Sequence, residues 1–261
     1  GLVGSEMCIR DSSLFDVPLH FNMYHASRSN GYFDMRYILK NTLLSSRPDL
    51  SVTFVDNHDT QYGQALESFV LEWFKPHAYS LILLRNEGYP CVFYGDFYGI
   101  PHDKIKPVKD LKTLLKLRTY NAYGRLHDYF DDDKIVGWTL EGVDEYKNSG
   151  LAVLMTVEKG GSKKMYVGKH FAGLTFVDAL RNIAENVVID EDGFGTFKVN
   201  DGSVSVYRLK IGQTVNARSE EPFVDEHEVS AYAEVVNGTE PETFYGSNYK
   251  HLEENTSEMM E

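Results

Sequence analysis

The stretch Ser51-Val-Thr-Phe-Val-Asp-Asn-His-Asp-Thr60 decides the fold. Its opening residues, Ser51 to Val55, are β-branched or apolar on both faces, which suits a strand buried on both sides, as in a parallel sheet. The run ends in two carboxylates, an amide and an imidazole, Asp56 to Asp59. Chemistry in parallel α/β folds gathers at the carboxyl ends of strands, so this cluster is the first candidate site. Composition alone also fits a plainer reading, a polar turn in which Asp or Asn caps the next helix.

On the N-terminal side, the pattern predicts a short strand near Leu14–Pro18 and a helix within Asp34–Leu44. On the C-terminal side, Pro76 suits the first turn of a helix over His77–Asn86, with Gly88 just past its end and Pro90 beyond. Cys91–Tyr94 reads as a buried strand, and a third helix is expected from Pro107, with Leu111, Leu114, Leu115 and Arg118 at helical spacing. Three consecutive β/α units imply right-handed crossovers and a parallel sheet. Units of roughly 30 to 40 residues fit either a (β/α)₈ barrel or a doubly wound sheet, and periodicity does not choose.

Past Asp131-Asp132-Asp133, read as a solvated connector, the period changes. Ile135–Leu140, Gly150–Val157, Lys164–Val167, Thr175–Asp178, Gly195–Val199 and Ser203–Leu209 are short strand-like segments. Gly, Asn and Asp turns separate them, among them Asp190-Glu-Asp-Gly193, so an antiparallel sandwich or barrel is expected. The domain boundary falls near 122–134, giving an α/β part over 13–124 and a β domain over 125–210. Residues 211–261 read as an acidic tail with little periodicity, expected to be largely disordered. Gly1–Ser12 resembles translated adapter sequence more than a domain start and is set apart from the fold as a leader.

The formal charge of -13 is unevenly placed: from Ser219 onward twelve acidic residues face one lysine, leaving the rest nearly neutral. No basic patch suggests a nucleic-acid partner, and no apolar run suggests a membrane span. Cys8 and Cys91 have no metal-ligand or redox spacing. Trp73 and Trp138 are expected in the core. Asn237-Gly-Thr239 and Asn255-Thr-Ser257 fit glycosylation sequons.

Ser51–Thr60 resembles the signature at the seventh barrel strand of α-amylases, a family of glycoside hydrolases acting on α-glucans. Leu14-Phe-Asp-Val-Pro-Leu-His20 is similar to the family's sixth strand. Trp73–Tyr79 and Gly88–Asp96 are similar to its seventh helix and eighth strand. Gly124–Trp138, Gly150–Leu154 and Met165–Gly168 are similar to its C-terminal β domain. The similarity runs in order from about Ser13 to Lys210. It implies the last three β/α units of a (β/α)₈ TIM barrel, followed by an antiparallel Greek-key β-sandwich.

The same resemblance implies site roles. Asp59 matches the carboxylate that stabilises the transition state, and His58 matches an imidazole that hydrogen-bonds sugar hydroxyls; Asp56 is expected to act behind them. Asp59 should then point into the mouth of a sugar cleft. The family's nucleophile and general acid come from earlier strands, and neither is found here, so the chain alone is expected to be inactive. His127 and Asp128, with backbone oxygens near Gly31 and Phe33, resemble part of a calcium site joining barrel and β domain, although Val157 falls where a further carboxylate is expected. The implied parent is a retaining endo-hydrolase of α-1,4-glucosidic bonds in starch, glycogen or maltodextrin, with an α-glucan as partner. Alternatives are glucan transfer or α-1,6 cleavage on the same fold, or a non-catalytic glucan-binding protein.

Overall fold

The computed structural model describes residues 12–216. The first element is shorter than the sequence pattern suggests. Strand β1 covers Leu14–Phe15, and Asp16 ends it by capping helix α1, Val17–Arg28, with Pro18 in the helix's first turn. The Asp16 carboxylate is fully buried. It accepts from Leu19 N at 3.1 Å, Leu43 N at 3.1 Å, Leu44 N at 2.6 Å and Ser51 Oγ at 3.0 Å. One side chain therefore ties β1, α1, the short helix α2 (Leu43–Ser46) and the start of β2, Ser51–Phe54. The expected helix over Asp34–Leu44 is a 3₁₀ turn, Met35–Tyr37, and then α2.

Strand β2 is the centre of a three-stranded parallel sheet in the order β1-β2-β3, with β3 at Tyr89–Cys91. Helix α3, Lys75–Leu84, follows β2, and α4, Tyr94–Tyr98, follows β3. Helix α5, Leu111–Tyr120, packs on α3. The strand expected at Cys91–Tyr94 thus gives way to α4 after Cys91. That thiol is exposed on an edge strand rather than buried.

The antiparallel part has a six-stranded sheet in the order β4-β5-β6-β11-β8-β9 and a two-stranded sheet of β10 and β7. The strands are β4 Leu126–Tyr129, β5 Ile135–Leu140, β6 Leu151–Thr156, β7 Gly161–Tyr166, β8 Thr175–Asp178, β9 Val187–Val188, β10 Phe194–Val199 and β11 Val204–Leu209. Strands β4 and β9 go beyond the sequence reading because each is short and polar or flanked by polar residues. At the entry to this sheet Gly124 has φ +96, and a Cβ there would meet the Gly142 backbone at 2.3 Å, so only glycine fits. The Asp190 carboxylate accepts from Asp192 N and Phe194 N, a turn as expected for Asp190–Gly193.

Two cores meet on β6. By the period of two, Leu151, Val153 and Met155 enter one core, which extends to α1, α3 and α5, while Ala152 and Leu154 enter the other, with Phe171, Phe176 and Phe197. Helix α3 is buried nearly all round, as a helix covered on two sides must be. Trp138 Nε1 donates to Leu84 O at 3.1 Å, and His77 Nε2 donates to Thr156 O at 3.1 Å. Trp138 is core, as expected, but Trp73 is 39% exposed, with its indole N–H on Ser27 O. Residues 211–216, assigned above to the tail, are tied down: Gln213 Oε1 accepts from Thr175 N, and Asn216 N donates to His170 O. The leader 1–11 and both sequons lie outside the described residues, as does the chain beyond 216.

Asp16→Ala should leave several buried donors without an acceptor and lower stability by about 3 kcal/mol or more. Urea unfolding of the two proteins measures this, and a loss below about 1 kcal/mol would show that Asp16 does not hold these elements together.

Candidate active site

The turn after β2 is shaped by its own polar side chains. Asn57 Oδ1 accepts from Asp59 N at 2.9 Å and Thr60 N at 3.0 Å, and Thr60 Oγ1 accepts from Asn57 N at 3.1 Å. The amide thus caps a turn, the plainer role considered for this stretch, and in doing so it turns the next two side chains outward. His58 and Asp59 sit at the carboxyl end of the central parallel strand, with side chains 84% and 50% exposed and His58 Nε2 3.3 Å from Asp59 Oδ1. The structure brings this pair together but does not enclose it. A cleft of about 610 Å³ opens beside the turn, lined by Gln61, Tyr62, Phe69, Lys75 and the 103–106 loop, and neither His58 nor Asp59 is in its wall.

Behind the turn lies a buried charge cluster that the sequence reading touched only at Asp56. Lys75 Nζ, at the start of α3, is 2.8 Å from Asp56 Oδ2 and also pairs with Asp96 in α4. Tyr79 donates its hydroxyl to Asp96 Oδ2 at 2.6 Å, while Asp56 Oδ1 accepts from Thr60 Oγ1 at 3.2 Å and Val70 N at 3.1 Å. Burial, with Asp96 adding to it, pushes the Asp56 carboxyl up to about 6 despite Lys75. Burial opposes the Lys75 ammonium, but Asp56 and Asp96 outweigh it and hold the group above its ordinary value. A lysine opening an otherwise apolar helix, Trp73-Phe-Lys-Pro, was the one sign of this cluster in the sequence.

The family model "Alpha-amylase C-terminal" matches residues 153–208, inside the sandwich. The α-amylase of Geobacillus stearothermophilus is 58% identical over 196 residues, 75% of this chain and 36% of that protein. The α-amylase of Bacillus licheniformis is 53% identical over 199 residues, 75% of this chain and 39% of that protein.

Over three quarters of its length the chain is similar to bacterial α-amylases.

It spans between a third and two fifths of the length of these two curated relatives. Among solved structures, Eisenia fetida α-amylase I with maltohexaose superposes with a TM-score of 0.56, over 76% of this chain and 49% of that one, at 12% identity. At that identity the likeness concerns the fold.

The positions with which the family resemblance associates calcium do not form a cradle here. Asp128 is forked by the buried Arg85, with Nη1 to Oδ1 at 2.5 Å and Nη2 to Oδ2 at 3.1 Å. His127 Nε2 is 2.6 Å from Glu141 Oε1. The Gly31 carbonyl accepts from Lys134 Nζ at 2.7 Å, and Phe33 packs against the core with its amide on Ser29 Oγ. The two acidic or carbonyl donors that could face a cation already face cationic side chains, so these residues do not fit the metal.

The buried groups set opposing pH dependences. Asp56 is raised to about 6, so the folded state holds its proton more tightly than the unfolded one, and its contribution to stability falls as pH rises from about 4 to 6. His77 is lowered by burial to about 4, and His20 is lowered for the same cause. Their contribution is lost as pH falls from about 6.5 toward 4, where the unfolded state gains the proton. Asp56 and His77 are each worth about 3 kcal/mol, so in the shared window they nearly cancel. Asp56→Asn, which mimics the protonated acid, should therefore show a steeper rise in stability between about pH 4 and 6.5. Urea unfolding across that range reads the slope, and parallel profiles for the two proteins would contradict the assignment.

Proposed function

We propose that the chain supplies the last three β/α units of an α-amylase (β/α)₈ barrel with its C-terminal β-sandwich, within an enzyme that hydrolyses α-1,4-glucosidic bonds of starch-type glucans internally and with retention. The observation that carries this reading is the 58% identity to the G. stearothermophilus α-amylase in a chain whose central parallel strand leads into a turn carrying His58-Asp59. The parallel order β1-β2-β3, with helices after each strand, supports the barrel.

Asp59 takes the role of transition-state stabiliser. Glycosidic cleavage builds positive charge on the sugar ring, and a fixed carboxylate favours that state most where water is excluded. His58, 3.3 Å from Asp59, hydrogen-bonds sugar hydroxyls. Retention needs two further carboxylates as nucleophile and acid. The neighbouring carboxylates are engaged elsewhere, Asp56 by Lys75 and Glu67 by the Gly63 amide at 2.8 Å, so neither serves. In this reading the nucleophile and acid are those the family draws from earlier barrel strands, and the chain alone turns over no starch.

The test is a chimaera in which the matching segment of this chain replaces that of the G. stearothermophilus enzyme. It should release α-configured maltooligosaccharides from soluble starch. In it, Asp59→Asn should lower kcat by about 10³-fold, and His58→Ala should act mainly through a raised KM. An active chimaera indifferent to Asp59→Asn would remove Asp59 from the mechanism.

A further inference from the structure

We infer that Lys134 does the work of a bound cation at the junction between the parallel sheet's helices and the β-sandwich, making that junction indifferent to calcium. The loop after α1 approaches the sandwich closely. Gly31 is buried at φ +85, and a Cβ there would come within 3.3 Å of the Val157 carbonyl oxygen. The Gly31 carbonyl oxygen is met in this joint by Lys134 Nζ. An oxygen so placed is the kind of group that binds a hard cation, but calcium takes six to eight oxygens and favours carboxylates. Here the side chain at 157 is an apolar valine, and the cation facing the oxygen is covalent: Lys134 Nζ at 2.7 Å.

The lysine is positioned by its own chain. Asp132 Oδ1 accepts from Lys134 N and Ile135 N, both at 2.8 Å, fixing the turn that leads into β5. Next to it, Asp133 O accepts from Met35 N at 2.8 Å, a second hydrogen bond across the same joint. The ammonium also lies 3.6 Å from Asp133 Oδ2, and the side chain is 26% exposed. A divalent ion entering here would meet a fixed positive charge already on the carbonyl it needs. Unlike a metal, this cation cannot be chelated or diluted away.

The experiment follows hydrogen exchange, read by mass spectrometry, in the Ser29–Ile38 segment of the full chain, in millimolar calcium chloride and in EDTA. Wild-type exchange there is expected to be the same in both buffers. Lys134→Met, which keeps the stem and removes the charge and donors, should speed it by about tenfold in both, the size of one charge-assisted hydrogen bond. Lys134→Arg, which can still donate to Gly31, should stay close to wild type. Thermal unfolding should follow the same order, with Lys134→Met melting about 3–6 °C lower. Slower wild-type exchange in calcium than in EDTA overturns the inference, and so does an exchange rate that Lys134→Met leaves unchanged.

Discussion

A single ammonium, that of Lys75, lies buried between the carboxylates of Asp56 and Asp96, and it ties together the segments that leave the carboxyl ends of β2 and β3. Three charges out of water are costly, and the attraction between them compensates only if the remaining lone pairs find donors. Most do: Tyr79 and Lys75 serve Asp96, and Thr60 and Val70 serve Asp56 Oδ1, while Asp56 Oδ2 is met by the Lys75 ammonium as an ion pair. The cluster joins the end of β2, the first residue of α3 and the helix after β3. His58 and Asp59 come two and three residues after Asp56, on a turn that Asn57 closes. Their outward placement rests on a charge cluster almost wholly shielded from solvent.

The same helix carries the constraint into the sandwich. Helix α3 has no free face: one end holds Lys75, the middle presents His77 to β6, and the last carbonyls receive Trp138 and Arg118. Arg85 continues the line, forked onto Asp128 of β4 and bonded to Glu87. This is why a change of period near residue 130 marks a change of architecture without marking a separable piece. One core runs from Leu19 in α1 through α3 to Val206 in β11. The β-sandwich lends one sheet face to the helices and keeps the other for its own aromatic core.

What the sequence disclosed follows from how local each cause is. Strands β2 and β5 were legible as short runs buried on both faces, and β8 as an alternating one. The helix over 75–84 was legible because Pro76 and the following apolar run act within one turn of each other. Asp16 was misplaced in a strand because its partners, Leu43, Leu44 and Ser51, are 27 to 35 residues away. Cys91 looked buried because an apolar run cannot say that its strand is at a sheet edge. The partners of Asp128 and of the Gly31 carbonyl were hidden for a similar reason: Arg85 and Lys134 reach them from 43 and 103 residues away. The His58–Asp59 pair was legible through family likeness alone, since four polar residues in a row are equally a turn.

The half-exposed state of Asp59 bears on what kind of statement the fold makes about catalysis. Two charges at about 4 Å interact by roughly 1 kcal/mol in water and by several times that near a protein surface of lower effective dielectric. An exposed carboxylate therefore contributes little to a cationic transition state until something displaces the water around it. What this chain determines is geometry: a turn braced by Asn57 and Thr60, anchored on a buried salt-bridged core, holding an imidazole and a carboxylate within 3.3 Å. Preorganisation of that kind is the part of electrostatic catalysis that must be built before substrate arrives. Under the proposed function, the enclosing walls and the bound glucan are what would supply the low dielectric. The carboxylate's orientation and its effectiveness are thus separable properties, and only the first is encoded between Asp56 and Asp96.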